Sequence, residues 1–235
     1  MSKQHWPFFY PDTHTIRPRI AISACLAGEQ VRYDGASKSL SEMDFFQQQC
    51  QLVAICPEVG AGLGVPRPPV QLVQTALGLR ALGRDDPALD VSEHLIAYRQ
   101  SSCNELNAQA ITAYIFKSRS PSCGLHSTPV FDDKGQLLHL SSGLQADYFQ
   151  QQMPWLVFRE ETQLLEPNAC QHFLWLCKVN SECQQAIERD ELTGFQLHYA
   201  SALPSIAANS DITVDANTYR CRLLEQLDMY YAASS

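Results

Sequence analysis

Residues 19–35, RIAISACLAGEQVRYDG, contain the pattern that decides the fold. The first part, RIAISAC, is an apolar and β-prone run that predicts a short buried strand, and the remainder is rich in turn-forming residues. The stretch therefore predicts a strand followed by a loop, and Cys25 lies where the strand ends and the loop begins. Within the loop, Tyr33, Asp34 and Gly35 are expected to form a turn in which Asp34 caps a nearby backbone group.

The same strand-to-loop pattern occurs twice more along the chain. Residues 52–56, LVAIC, run into the Gly/Pro-rich segment PEVGAGLGVPRPP, and residues 110–116, AITAYIF, run into KSRSPSCG. Helical patterns over 39–50, with Ser41 as its predicted cap, and over 90–109 separate these strands. Strands that alternate with helices favour a parallel sheet. The predicted fold class is therefore α/β, with a mostly parallel sheet and flanking helices.

The pattern becomes purely helical in the last third of the chain. A helix over 144–152 and a strand over 155–158 complete the α/β unit, and beyond about Glu166 helices are predicted over 169–187 and from Asp215, an N-cap candidate, to about Tyr231. We expect this C-terminal lobe to pack against the α/β unit rather than carry the chemistry. The predicted parts are an N-terminal extension (1–17), an α/β domain (18–163) and a small C-terminal helical lobe (164–235).

Composition excludes several classes of protein. The chain has 235 residues, of which 45% are hydrophobic and 18% charged, as in a globular protein. No apolar run approaches the roughly 20 residues of a membrane-spanning helix. The N-terminal sequence has no basic start followed by an apolar stretch and a cleavage site, so we expect a cytoplasmic protein. Nine cysteines, an odd number, argue against a disulfide framework and favour reduced thiols.

The charge is negative and unevenly distributed. Of the net −8, residues 161–235 contribute −6, with 4 Lys/Arg against 10 Asp/Glu. The chain has no basic run, and phosphate contacts supply most non-specific affinity for nucleic acid. A nucleic-acid partner is therefore disfavoured, and a small uncharged substrate is expected. The oligomeric state is left open.

Three cysteines share one topological position, because Cys25, Cys56 and Cys123 each lie at or just beyond the C-terminal end of a predicted strand. In a parallel sheet these ends form the ligand crevice, so the three thiols can converge if their strands are neighbours. Three protein ligands leave a metal with an open position for substrate. Zinc would be expected with histidine or a close Cys-x-x-Cys pair, whereas all-thiolate ligation favours iron-sulfur. Taken singly, each cysteine could instead be a buried packing residue.

Other candidate residues carry weaker patterns. Glu58 stands two residues after Cys56 and could be a catalytic carboxylate or simply a surface group. The seven histidines show no ligand spacing and receive no role. A fourth ligand to the iron-sulfur cluster, from Cys170 or Cys177, is an alternative that we do not prefer. The cysteines outside the proposed site fall in helical patterns that favour core packing: Cys50, Cys103, Cys170, Cys177, Cys183 and Cys221.

Three segments in this order, SACLAGEQVRYDG (23–35), CPEVGAGLGVPRPPV (56–70) and KSRSPSCG (117–124), resemble the thiouracil desulfurase family. The resemblance covers about residues 18–163. It implies an α/β protein with a [4Fe-4S] cluster on Cys25, Cys56 and Cys123, and with the fourth iron left for the substrate sulfur. By the same match the catalytic carboxylate is Glu58 and a supporting serine is Ser120. Gln71 and Ala61 replace the usual Glu and Gly, and Gln71 is expected to alter loop pairing or substrate fit.

The implied reaction is a non-redox desulfuration of a thiolated pyrimidine. Polarisation of the C=S bond at the open iron would let water add to the carbon, with Glu58 moving protons and Ser120 orienting substrate or water. The products are uracil and sulfide, and the expected partner is a small thiolated nucleobase. Two alternatives stay open at this point: a desulfurase that acts on thiolated tRNA, and a non-catalytic iron-sulfur sensor or electron-transfer protein.

Overall fold

The computed structural model describes residues 16–202 and 215–234. The predicted extension (1–17) and the connection before Asp215 lie largely outside the described residues. The strands are β1 Arg19–Ser23, β2 Gln51–Ile55, β3 Val70–Thr75, β4 Gly78–Gly83, β5 Ala113–Phe116, β6 Thr128–Phe131, β7 Leu137–Ser141 and β8 Val157–Glu160. The helices are α1 Met43–Gln49, α2 Pro57–Gly60, α3 Ser92–Ala108, α4 Leu144–Gln152, α5 Pro167–Glu188, α6 Leu192–Ala202 and α7 Ala216–Ser234, with a 3₁₀ turn at Glu161–Gln163.

The first sheet is entirely parallel, with the strand order β2-β1-β5-β8. Ile20 of β1 lies opposite Leu52 of β2 on one side and Ala113 of β5 on the other. The chain thus extends the sheet first to one side of β1 and later to the other. Such a switch in strand order opens a crevice at the carboxyl ends of the strands. The α/β prediction with a parallel sheet is confirmed.

Both faces of this sheet are covered, which explains why Ile20, Ala21 and Ile22 of β1 and all four residues of β5 are buried hydrophobic residues. Ile20 and Ile22 belong to the core cluster that includes α1 and α5, whereas Ala21 belongs to the cluster that includes α3 and α4. The alternation follows from the two-residue period of a strand. Among the described residues, no helix has the length and apolar character needed to span a bilayer.

A second, mixed sheet was not predicted from the sequence. Its order is β4-β3-β6-β7, with β3 and β6 parallel and the outer strands antiparallel to their neighbours. Leu72, Ala81 and Val130 of this sheet form a small core with Val91 and with Leu95 of α3. Helix α3 also contacts the parallel sheet through Cys103 and Leu106. This helix therefore joins the two sheets and fixes the segments between them.

The C-terminal helices form one core with the parallel sheet. Phe173 and Trp175 of α5 are in the same cluster as Ile20 and Ile22. Asp215 caps α7 as predicted, since its Oδ1 accepts the amides of Asn217 and Thr218 at 3.1 Å each. Helix α6 was not anticipated.

One predicted cap is wrong. Helix α1 starts at Met43 after Glu42, without a side-chain cap, and the Ser41 hydroxyl donates to the Glu42 carboxylate instead of receiving a helix amide.

Candidate functional site

The three predicted thiols line one cavity at the C-terminal edge of the parallel sheet. Cys25 follows β1, Cys56 directly follows β2 and Cys123 lies in the loop after β5. The cavity has a volume of about 330 Å³, and Glu58 and Ser120 also line it. The structure thus brings together all five residues that the sequence singled out. Their chemical roles stay predictions.

The thiols are close enough to influence one another's charge. Burial raises the pKa of Cys25 to about 11, and the neighbouring Cys56 adds to this effect. Burial also raises the pKa of Cys56, and it raises that of Cys123 well above its usual range, with Cys56 and Cys25 contributing. Without a bound metal the thiols are therefore protonated near neutral pH. Metal binding at this position would release their protons.

Three thiols form the donor set of the cavity, and all-thiolate ligation suits an iron-sulfur cluster. Within the described part of the chain, no three His, Cys, Asp or Glu side chains converge on one ion position. In an iron-sulfur cluster each cysteine binds a different iron, so the ligand sulfurs surround a cavity instead of a point. The three thiols line one cavity of about 330 Å³. A tetrahedral zinc site would need its ligands at one centre.

Glu58 is held rigidly at both carboxylate oxygens. It stands in the first turn of α2, next to Pro57, and is 9% exposed. Its Oε2 accepts a hydrogen bond from Arg67 Nε at 2.7 Å, and its Oε1 accepts one from Ser122 Oγ at 3.1 Å. Helix α2 is seated on α3 at Gly60, where a Cβ would approach the Tyr98 ring to 2.3 Å. The carboxylate therefore has a fixed position on the cavity wall.

Sequence reasoning missed the two partners of Glu58. Arg67 is the one charged residue between Val59 and Val70, and an isolated charge in a Gly/Pro loop could have indicated its role. It also donates from Nη1 to the Gly64 carbonyl at 2.9 Å. Ser122 is fully buried beside Cys123, and no sequence pattern distinguishes it from Ser120.

Ser120 supports the loop that carries Cys123. Its Oγ accepts the backbone amides of Ser122 at 3.3 Å and of Cys123 at 3.1 Å. These contacts hold the turn around Cys123 and leave the hydroxyl proton of Ser120 for another acceptor. In this structure Ser122, and not Ser120, contacts Glu58 directly.

Basic side chains outnumber acidic ones in the cavity lining, and four of the five basic residues pair with a carboxylate. Glu58 is the one carboxylate among the described residues that line the cavity, and it is paired with Arg67. Lys117 forms an ion pair with Glu161 at 2.5 Å, the closest of its contacts. Positive charge near thiols favours their ionised form. The basic residues of the wall are Arg32, Arg67, Arg84, Lys117 and Arg119.

The remaining candidates lie away from the cavity lining. Cys170 is buried, and its Sγ lies 3.2 Å from the Leu164 carbonyl, while Cys177 is fully buried in the core of the C-terminal helices. Gln71 stands on β3 opposite Leu82, and Ala61 ends α2. The turn at Asp34 forms as expected, because Asp34 Oδ1 accepts the Ala36 amide at 3.0 Å.

The fold and the cavity define a class of protein: an α/β protein with three thiols and a buried carboxylate at the C-terminal edge of a parallel sheet. The chain belongs to the 2-thiouracil desulfurase family, whose sequence profile matches residues 20–161. The resemblance noted from the three segments is thereby confirmed. Helices α5, α6 and α7 lie beyond the matched region.

Two known proteins are similar to this chain. The uncharacterised protein YbbK of Bacillus subtilis (strain 168) is 30% identical over 116 residues, which cover 45% of this chain and 72% of YbbK. The solved structure of TudS, a [4Fe-4S]-dependent thiouracil desulfidase, matches with a TM-score of 0.53 and 27% identity. That match covers 66% of this chain and 97% of TudS.

Proposed function

We propose that this chain removes sulfur from a thiolated pyrimidine base of the 2-thiouracil type, giving uracil and sulfide, with a [4Fe-4S] cluster on Cys25, Cys56 and Cys123. The observation that carries the proposal is the convergence of three thiols and the Glu58 carboxylate on one cavity. The family match and the [4Fe-4S]-dependent neighbour support the reaction class and the cofactor.

The side chains of the cavity have separate roles in the proposed reaction. When bound, the cluster would supply an iron without a protein ligand, a Lewis acid for the thiocarbonyl sulfur. Glu58 takes a proton from the attacking water and returns it to the departing sulfur or the ring nitrogen. Arg67 and Ser122 hold the carboxylate in place for this transfer. Ser120 orients substrate or water with its hydroxyl proton.

The overall reaction needs no oxidant or reductant. The carbon–sulfur double bond is replaced by a carbon–oxygen double bond, and both hydrogens of the water leave with the sulfur as hydrogen sulfide. The basic residues of the cavity wall offset the negative charge of the three thiolates. A small planar base with a soft sulfur atom suits this cavity.

The test is turnover by anaerobically reconstituted protein. With 2-thiouracil we expect uracil and sulfide in equal amounts, measured by chromatography and by a colorimetric sulfide assay. Iron-replete protein that forms no uracil would contradict the enzyme proposal and favour a sensor or electron carrier.

Cysteine variants test the ligand set. Replacement of Cys25, Cys56 or Cys123 by serine should lower the iron content and the visible absorbance of the cluster. Cys221→Ser, on α7 and half-buried, is the matched control and should retain both. Unchanged iron in all three ligand variants would overturn the assignment.

A further inference from the structure

Two consecutive carboxylates, Glu160 and Glu161, accept hydrogen bonds from the two ends of the loop that carries Cys123. We define this loop as the ligand loop, residues 117–127. Glu161 accepts the Ser118 amide at Oε2 at 2.7 Å, and the Ser118 hydroxyl at 2.7 Å and the Lys117 ammonium at 2.5 Å at Oε1. These contacts fasten the beginning of the loop to the 3₁₀ turn that follows β8.

Glu160 fastens the other end. Its Oε1 accepts the Leu125 amide at 2.6 Å and the Ser127 hydroxyl at 2.5 Å. Glu160 is 6% exposed and forms no ion pair within the described part of the chain. Hydrogen bonds to a buried charge are the strong ones, because the charge has no water to replace them. The Glu160 contacts are therefore costly to break.

The loop between these contacts is strained. Arg119 has φ of 58° and His126 has φ of 61°, so two residues other than glycine occupy the left-handed region on either side of Cys123. Such conformations persist only where the surroundings enforce them. At Arg119 the restraint is direct, because its amide donates to Ser127 Oγ at 2.8 Å and that hydroxyl donates to Glu160.

We propose that Glu160 and Glu161 are positioning residues that hold the ligand loop in its strained, thiol-presenting conformation before any cluster is bound. The importance of the loop rests on the proposed function, in which Cys123 is a ligand. We call the hydrogen bonds from the loop to Glu160 and Glu161 the clamp. The clamp is present in the metal-free chain. Neither carboxylate lines the cavity, so they act through the loop and not on the substrate.

Hydrogen exchange of the metal-free protein tests the clamp. In Glu160→Gln and Glu161→Gln, we expect the amides of residues 117–127 to exchange about tenfold faster or more, since hydrogen bonds to a charged carboxylate are replaced by weaker bonds to a neutral amide oxygen. Exchange in β1 and β2 should stay at the wild-type rate. Trypsin should also cut faster after Arg119, which is exposed.

Two further variants serve as a control and as an alternative test of the Glu160 contacts. Glu93→Gln removes a carboxylate at the start of α3 that is ion-paired with Arg80 of β4, and it should leave exchange in the loop unchanged. Ser127→Ala removes only the bridging hydroxyl, so it tests the Glu160 arm if the glutamine variants fail to fold. Folded variants whose loop exchanges like the wild type would overturn the clamp.

Iron retention separates this proposal from the proposed function. After reconstitution, the clamp variants should lose iron to a chelator faster than the wild type. A loop that exchanges faster but retains iron at the wild-type rate would support the clamp and contradict Cys123 as a ligand. Wild-type exchange would contradict the clamp whatever the iron does.

Discussion

Glu58 illustrates how single contacts at the site define a testable role. Its two oxygens accept from different donors, Arg67 at 2.7 Å and Ser122 at 3.1 Å. A glutamine can reproduce both contacts, because its oxygen can accept from Arg67 while its amide donates to the Ser122 hydroxyl. Glu58→Gln therefore preserves the geometry and removes the ability to carry a proton.

We expect Glu58→Gln to keep its iron and to lose about 10²- to 10⁴-fold in turnover, the usual contribution of a general acid–base group. The measurement is uracil formation normalised to iron content. Glu93→Gln, at an exposed pair with Arg80, is the control and should turn over like the wild type. Wild-type turnover in iron-replete Glu58→Gln would rule out the proton-transfer role.

Another buried carboxyl, Glu182 of α5, makes stability depend on pH. Burial raises the pKa of Glu182 to about 7, against smaller opposing effects of the Tyr199 hydroxyl, which donates to Oε2 at 2.9 Å, and of Lys178. A carboxyl whose pKa is higher in the folded than in the unfolded chain binds its proton more tightly when folded. Its stabilising contribution is thus present at acidic pH and is lost as the pH rises toward 7.

The wild type should accordingly lose about 2 kcal/mol more than Glu182→Gln in free energy of unfolding between pH 5 and pH 8. Glutamine carries no titrating proton, so the difference between the two proteins isolates this residue. Urea unfolding at several pH values measures it. Parallel pH profiles for the two proteins would show that Glu182 does not titrate in this range.

At the scale of elements, the start of α4 supports the ligand loop. The amide of Leu144 donates to the Pro121 carbonyl at 2.9 Å, and the amides of Gln145 and Ala146 donate to the Ser122 carbonyl at 3.1 Å each. These donors would otherwise lack partners at a helix N-terminus. Gly143 precedes them and lets the loop backbone approach closely.

Gly143→Ala should displace the ligand loop. A Cβ at this position would lie 2.5 Å from the Ser122 carbonyl carbon and 2.8 Å from the Ser120 oxygen, both backbone atoms that cannot rotate away. We expect a loss of about 1–3 kcal/mol in stability and reduced iron retention. Thermal unfolding and chelator challenge measure the two effects.

Gly194→Ala is the matched control, because a Cβ on Gly194 of α6 would meet open space. Alanine is favoured over glycine in helices, so its stability should equal or exceed that of the wild type by up to about 1 kcal/mol. Equal behaviour of the two alanine variants would contradict the role given to Gly143.

At the scale of the whole molecule, α5 completes the core of the parallel sheet. Its buried residues share one cluster with Ile20, Ile22 and Phe46. The C-terminal helices therefore cover a face of the sheet, although they lie outside the family match. The predicted boundary between an α/β domain and a C-terminal lobe at residue 163 stays a prediction. The hydrophobic core is continuous across that boundary.

A chain shortened after Gln163 should lose its cooperative fold. Removal of α5 takes away part of the cover of Ile20, Ile22 and Ile115, because α1 alone then packs on this face, and a large exposed apolar patch promotes association. We expect aggregation, or binding of a hydrophobic dye without cooperative thermal unfolding. A soluble, cooperatively folding fragment would instead show that the α/β unit is independent.

Local patterns in the sequence determined the parts of this protein that depend on neighbouring residues. Apolar runs ending in turn-forming residues predicted β1, β2 and β5, and parallel α/β topology then placed Cys25, Cys56 and Cys123 at one edge. The motifs around them indicated the family. Each of these inferences uses periodicity, turn chemistry or spacing, which are encoded over a few residues.

Only the tertiary structure decided which distant groups meet. The contact of Ser122, rather than Ser120, with Glu58 and the hydrogen bond from the Leu125 amide to Glu160 both join segments that are distant in the chain, and no local pattern describes them. The same holds for α5, whose apolar residues indicated a buried face but not the sheet that buries it. Periodicity records that a residue is buried, whereas the crossing of chain segments in space determines its partner.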